Sequence, residues 1–258
     1  GVIYMVYRTT SMHWAFKSSS NNGTSWSAAT ELCGLEFGYI SIKKGIGDKI
    51  HLVVWGYPYT TNYDRFNIYY LTFNGTLWQN IDGDTLTLPV DHEDDMLVLD
   101  SGTDEIPSCC LGITPSDKPI IHFSAGVGTA DPLGDYSFKI AKYEAGAWVI
   151  SDTGEGANNW GDYATCIDVR SEDQYDLYLV KDGGTDRGGF IHKVITTNGG
   201  DTWTDKGDMI GDAKQYADPA IVGNLNRLAR VVIFQAPPLS PNAYSGMGFL
   251  WGDEGFLY

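Results

Sequence analysis

Trp55 and the ten residues after it, Gly56-Tyr57-Pro58-Tyr59-Thr60-Thr61-Asn62-Tyr63-Asp64-Arg65, combine four aromatic rings with an amide, a carboxylate and a guanidinium. Aromatic faces stack on the C–H faces of sugar rings, and Asn62, Asp64 and Arg65 can bond hydroxyls, so the stretch reads as a platform for a glycan. The plainer reading is an aromatic-rich loop that packs on itself. Trp160, in Asn158-Asn159-Trp160-Gly161-Asp162-Tyr163, and Tyr216, in Gln215-Tyr216-Ala217-Asp218, occupy comparable connections and would complete one pocket with it. Arg187 matches Arg65 in standing just before a strand. An Asp one or two residues ahead of each also allows a plain surface ion pair.

Two histidines recur in similar settings, His51 in Asp48-Lys49-Ile50-His51-Leu52 and His122 in Asp117-Lys118-Pro119-Ile120-Ile121-His122-Phe123. Recurrence favours a structural role, a ring bridging neighbouring sheets by hydrogen bonds. The sharper alternative is that one of them serves as acid or base, for which an imidazole is suited near neutral pH. Asp91, His92, Glu93, Asp94 and Asp95 form an acidic run that reads as a solvated loop. No cofactor is expected, calcium being the one ion such clustered oxygens could take.

Bulk properties narrow the ligand. A net charge of −16, from 17 Lys plus Arg against 33 Asp plus Glu, excludes a nucleic-acid partner, which needs a basic stripe. It also disfavours strongly anionic polymers. Cys33, Cys109, Cys110 and Cys166 have no metal-ligand spacing and read as buried thiols. No apolar run approaches the roughly 18 residues of a membrane span, and no phosphate loop or nucleophile elbow appears. The chain opens at Gly1 straight into the strand-like run Val2-Ile3-Tyr4-Met5-Val6-Tyr7, which reads as a piece from which a leader or the rest of a larger protein has been removed.

These residues need rigid elements to hold them, and the turns reveal which. Ser19-Ser20-Asn21-Asn22-Gly23-Thr24-Ser25-Trp26 returns as Thr196-Thr197-Asn198-Gly199-Gly200-Asp201-Thr202-Trp203. An Asn that bonds nearby backbone, a Gly at positive φ and a Trp opening the next strand suit a tight turn. Looser copies stand at Thr72 to Trp78 and Tyr143 to Trp148. The four Trp anchors recur roughly every 50 to 70 residues, against about 40 to 50 for a four-stranded propeller blade without insertions.

The expectation is one all-β domain, a β-propeller of four-stranded antiparallel blades near 1–30, 38–83, 107–152, 162–207 and 217–258. The first of these five blades lacks its inner strand. Either the C-terminal segment completes it in a closed ring, or the chain belongs to a larger propeller. Ligands of such a fold gather on loops joining second to third strands and blade to blade, at the end away from the repeated turns.

The repeated turn resembles the Asp-box of BNR-repeat and sialidase-type propellers, with Asn where Asp is commoner. With Asp48-Lys49-Ile50-His51-Leu52 and Asn67-Ile68-Tyr69-Tyr70, the chain looks like the BNR-repeat group that includes the ulvan-lyase propellers. Enzymes of that group are polysaccharide lyases using His, Tyr and Arg. The resemblance implies His51 as a match, with Arg65 and Tyr69 following by position. Sialidases need three arginines around a carboxylate, and this chain has six in all, with Arg8 followed by Thr9 and Thr10 instead of Ile-Pro. The resulting expectation is glycan recognition by an extracellular or virion-surface propeller. The alternatives are a polysaccharide lyase or other glycan-degrading enzyme, and a structural module of a larger surface assembly.

Overall fold

The computed structural model describes residues 1–257 except 12, 35–37, 57–65, 92–94, 128–135, 158–164, 182–189, 210–215, 222–230, 236–247 and 253–254. Beyond residue 209, and at 127 and 157, only the backbone is described. The chain divides into two compact units, Gly1–Gly102 and Thr103–Tyr258. Among the described residues both contain antiparallel strands and no helix, as the alternating apolar pattern and dense turn residues require.

In the first unit, β1 (Ile3–Arg8), β2 (Trp14–Ser19) and β3 (Thr30–Cys33) form one sheet. A second sheet runs β4 (Tyr39–Lys44), β5 (Ile50–Trp55), β6 (Ile68–Phe73) and β7 (Trp78–Gln79), with β8 (Leu97–Leu99) also pairing with β6. Leu52, Val54, Tyr69, Leu71 and Phe73 share one face of the second sheet. They pack with Tyr4, Val6 and Phe16 of the first. The rings of Tyr4, Phe16, Phe73 and Trp78 interlock at centroid distances of 5.1 to 5.6 Å, mixing stacked, tilted and edge-on pairs.

The second unit holds three four-stranded sheets. They are β9 (Asp104–Ile113), β10 (Pro119–Val127), β11 (Tyr136–Glu144) and β12 (Ala147–Ala157); β13 (Thr165–Val169), β14 (Tyr175–Lys181), β15 (Phe190–Thr196) and β16 (Thr204–Asp208); and β17 (Tyr216–Ile221), β18 (Val231–Gln235), β19 (Gly248–Gly252) and β20 (Gly255–Leu257). Ile120, Tyr136, Phe138 and Ile140 of the first sheet meet Ile167, Leu177, Leu179 and Val194 of the second in one dry core. Asp176 on the second sheet's other face is 2% exposed, and Arg170 (2.7 Å) and Lys193 (2.8 Å) neutralise it.

The two repeated turns fold alike down to single hydrogen bonds. Ser19 Oγ accepts the Gly23 amide at 2.9 Å and donates to Asn21 Oδ1 at 3.0 Å, which accepts the Ser25 amide at 2.9 Å. Thr196 Oγ1 accepts the Gly200 amide at 2.9 Å and donates to Asn198 Oδ1 at 2.8 Å, which accepts the Thr202 amide at 3.1 Å. In both, Asn22/Gly23 and Gly199/Gly200 hold positive φ. The tryptophans behave differently from the expectation: Trp26 is 37% exposed, whereas Trp203 packs on the core of the second unit. Neither ring opens the next strand, since β3 begins at Thr30 and β16 at Thr204.

Candidate functional site

In the first unit, the antiparallel registers place four side chains at the strand ends opposite the Ser19 to Trp26 turn. Arg8 pairs with Trp14 across β1 and β2, and Tyr39 pairs with Trp55 across β4 and β5. Arg8 Cζ lies 5.6 Å from the Trp14 ring centroid and 5.9 Å from that of Tyr39, and the Tyr39 and Trp55 rings stack at 5.7 Å and 30°. The result is a continuous ladder, Trp14, Arg8, Tyr39, Trp55, that crosses from one sheet to the other with a guanidinium between two rings. Arg8, Trp14 and Tyr39 are half-buried and Trp55 is 9% exposed, so the ladder has both a packed edge and an open one.

Two polar features flank it. Trp14 Nε1 donates to the Gly38 carbonyl at 3.1 Å, which fixes that ring, while Trp55 Nε1 is buried with no hydrogen-bond partner among the described residues. His13 Nδ1 lies 2.7 Å from Glu31 Oε1, with the imidazole side chain 26% and the carboxylate 46% exposed. A carboxylate on Nδ1 orients the ring so that Nε2 faces away from it, the arrangement of an acid–base histidine with its positioning group.

Of the residues singled out from sequence, Trp55 is in the ladder. Tyr57, Tyr59, Tyr63, Arg65, Trp160 and Arg187 lie outside the described residues, as do His92, Glu93 and Asp94 of the acidic run. Tyr216 opens β17, with only its backbone described. His51 is fully buried and its Nδ1 lies 2.5 Å from Tyr70 Oη, four residues along β5 from Trp55 and so about 13 Å away. Tyr69 alternates to the opposite face, into the apolar core, where its hydroxyl accepts from Asn67 Nδ2 at 3.2 Å. The tyrosine that meets His51 is Tyr70.

His122 is not in the position that His51 takes. The hairpins closed by Gly45 with Lys49 and by Thr114 with Lys118 align His51 with Ile120, so His122 sits two residues further on, on the same face. It is fully buried, stacks on Phe138 at 6.0 Å and 10°, and its Nδ1 lies 2.5 Å from Thr165 Oγ1 on the neighbouring sheet. Desolvation lowers its pKa to about 3, which marks a neutral bridging ring.

In the second unit, a cleft of about 430 Å³ lies at the end bearing the Thr196 to Trp203 turn. Several of its polar groups are already engaged. Ser116 donates through its amide (2.5 Å) and hydroxyl (2.6 Å) to the Glu172 carboxylate, Tyr175 Oη donates to the Glu172 carbonyl at 2.6 Å, and Lys142 pairs with Glu144 at 2.8 Å. Burial pushes the Tyr175 hydroxyl up to about 12, and the cleft reads as inter-hairpin packing. At the opposite end of the same sheets, Glu155, His192 and Asp205 bring metal-ligating atoms within 4.8 Å of one another. Arg8, Trp14, Tyr39 and this trio carry no local sequence motif. Only strand register reveals them.

No protein-family model matches the chain, and no curated protein matches it. Among solved structures, the chain is similar to an ulvan lyase of polysaccharide lyase family PL25 bound to -[GlcA(1-4)Rha3S]-, with a TM-score of 0.80 at 17% identity over 99% of this chain and 63% of that one. It is similar to the polysaccharide lyase Uly1 with a TM-score of 0.60 at 14% identity, over 99% of this chain and 54% of that one. An endo-arabinase from Bacteroides thetaiotaomicron VPI-5482 matches with a TM-score of 0.50 at 10% identity, over 100% of this chain and 89% of that one. The chain therefore spans less than two thirds of the length of either lyase. At these identities the likeness is one of fold: the chain is an all-β protein of the propeller-like kind, built from antiparallel sheets as these structures are.

Proposed function

We propose that the chain recognises a polysaccharide at the strand ends that carry the Trp14–Arg8–Tyr39–Trp55 ladder. The ladder is the observation that supports this most: flat apolar faces suited to sugar C–H surfaces, with one fixed positive charge among them. Residues 57–65, with Tyr57, Tyr59, Tyr63 and Arg65, follow Trp55 and Gly56 in the sequence, and their aromatic and polar composition suits the same ligand class. The ulvan lyase of similar fold, in its complex with a uronate-containing oligosaccharide, supports the same ligand class. Arg8 supplies locally the charge that the net −16 lacks overall, so an acidic polysaccharide is admissible beside a neutral one. An extracellular or virion-surface setting goes with such a ligand, and the repeated turns are the Asp-box element of this reading.

A polysaccharide lyase is the second reading, favoured by the fold likeness and by His13. The His13–Glu31 pair lies at the ladder end of the sheet and is part-exposed, whereas His51 is sealed about 13 Å away along β5. On this reading His13 carries the proton transfer. Binding measured against a panel of neutral and uronate-containing polysaccharides tests both. Tyr39→Ala and Arg8→Gln are each expected to weaken the best ligand about tenfold, the equivalent of about 1.4 kcal/mol. Full affinity in both variants removes the platform. For the lyase, ultraviolet absorbance of unsaturated uronate products should rise with the native chain and not with His13→Ala; equal rates in the two would exclude His13.

A further inference from the structure

Two outer strands of the second unit are bulged where they carry acidic side chains. Between the pairs Ser137↔Gly156 and Lys139↔Asp152, residues 153–155 of β12 face Phe138 of β11 alone, with Gly154 at φ +78°. Between Lys193↔Gly207 and Val194↔Asp205, β16 holds the additional residue Lys206, with Gly207 at φ +76°. Without that residue, Asp205 and Asp208, three apart, would point to opposite faces of β16. With it, Asp205 opposes Val194 and Asp208 opposes His192, and both share the His192 face.

The histidine is thereby held between carboxylates. Its side chain is 9% exposed. Nδ1 lies 3.0 Å from Asp208 Oδ1, while Nε2 is 3.0 Å from Asp205 Oδ1 and 3.9 Å from Glu155 Oε2. Despite that proximity, Nε2 is buried and makes no hydrogen bond among the described residues, because the Asp205 oxygen lies off the N–H direction. With the Nδ1 proton donated to Asp208, Nε2 presents a bare lone pair to two anionic oxygens. A cation among these three donors would relieve their mutual repulsion, which Lys181 Nζ on Glu155 Oε2 and the Gly207 amide on Asp205 Oδ1 offset in part.

We propose that Glu155, His192 Nε2 and Asp205 form a binding site for a divalent metal ion of the zinc type. Donors about 2.0 to 2.1 Å from a tetrahedral zinc stand roughly 3.3 Å apart, and the observed 3.0 and 3.9 Å bracket that separation. The imidazole nitrogen selects zinc over calcium or magnesium, which prefer oxygen-only sets. Asp208 on Nδ1 is the outer carboxylate that fixes the tautomer and orientation of a ligating histidine. Three protein ligands leave one position for water or for an anionic group of a ligand. Lys181 Nζ, 2.6 Å from the same Glu155 oxygen, is the internal cation that the metal displaces.

Calorimetric titration of the whole chain with zinc chloride tests the assignment. One zinc ion per chain is expected, with a matching rise in melting temperature and no competition from equimolar calcium. His192→Ala and Asp205→Asn should each abolish that site, and Asp208→Asn should weaken it about tenfold or more. Lys181→Met should tighten it by a similar factor, a gain that no merely structural ion-pair cluster would show. Circular dichroism verifies that each variant folds, and the Lys181→Met gain stands even where a ligand variant does not. Absence of saturable binding to the native chain and to Lys181→Met, or unchanged binding in His192→Ala and Asp205→Asn, overturns the proposal. The trio would then be a structural polar cluster around a buried histidine.

Discussion

The protein is expected to lose about 3 kcal/mol of folding stability between pH 6.5 and pH 4 through His122 alone. Its ring is fully buried between Phe138, Cys110 and Thr165, and desolvation lowers its folded pKa to about 3 from 6.5. A histidine depressed this way contributes stability that is complete above the unfolded pKa. Below pH 6.5 the unfolded chain takes up a proton that the folded chain refuses, so stability falls by about 1.4 kcal/mol per pH unit until the folded pKa near 3 is reached. Urea denaturation at pH 7 and pH 4 measures the drop. Carboxylates contribute to acid sensitivity as well, so the comparison is with His122→Phe/Thr165→Val, which removes the ring and the hydroxyl that would otherwise be orphaned. The double variant should show an acid-induced loss smaller by about 3 kcal/mol; an equal loss in both proteins would mean that His122 is protonated in the fold.

Gly200→Ala is expected to destabilise by about 3 kcal/mol, and its counterpart Gly23→Ala by about 1. Both glycines occupy the same place in the repeated turn, at φ +96° and +83°, and both substitutions carry the cost of a side chain in the left-handed region. They differ in what lies beyond. A Cβ on Gly200 would collide with Ile140 Cδ1, a fully buried member of the second unit's core, whereas one on Gly23 meets only Trp26 at 3.8 Å. Overpacking therefore adds to strain in one turn and not in the other. Denaturation midpoints of the two variants measure the gap, and equal losses would show that the turn backbone alone decides.

That pair also shows how much of the fold the sequence made legible. The Asn, Gly and hydroxyl residues of the two turns specify local hydrogen bonds, and local chemistry can be read along the chain. Strands such as β13 at Thr165–Val169, bounded by turn residues and rich in β-branched side chains, were equally legible. The all-β expectation with antiparallel sheets holds for the described residues, where three sheets are four-stranded, one is three-stranded and one is enlarged by β8. What escaped depends on distant pairing. β8 at Leu97–Leu99 lies between the expected blades 38–83 and 107–152, and it becomes a strand by joining β6 across a long connection. β3 starts at Thr30, four residues after Trp26, which stays at the surface.

The site follows the same division. Trp55 was visible because its neighbours in sequence are aromatic. Arg8, Trp14 and Tyr39 come from three further strands and meet it only through register. His51 and His122 look equivalent by sequence setting, yet hairpin alignment separates them by two residues. Glu155, Asp205 and Asp208 were hidden for a sharper reason: a period of two assigns Asp205 and Asp208 to opposite faces, and only the bulge at Lys206 reverses that.

The claim that binding belongs to the strand ends opposite the repeated turns is tested most directly by hydrogen exchange with and without the polysaccharide that binds best. Saturating ligand should slow exchange in backbone segments around Arg8 to Trp14, Tyr39 and Trp55, and leave Ser19 to Trp26 and Asn74 to Leu77 unchanged. Slowing confined to those two turns, with no change around Arg8, Tyr39 and Trp55, would contradict the account.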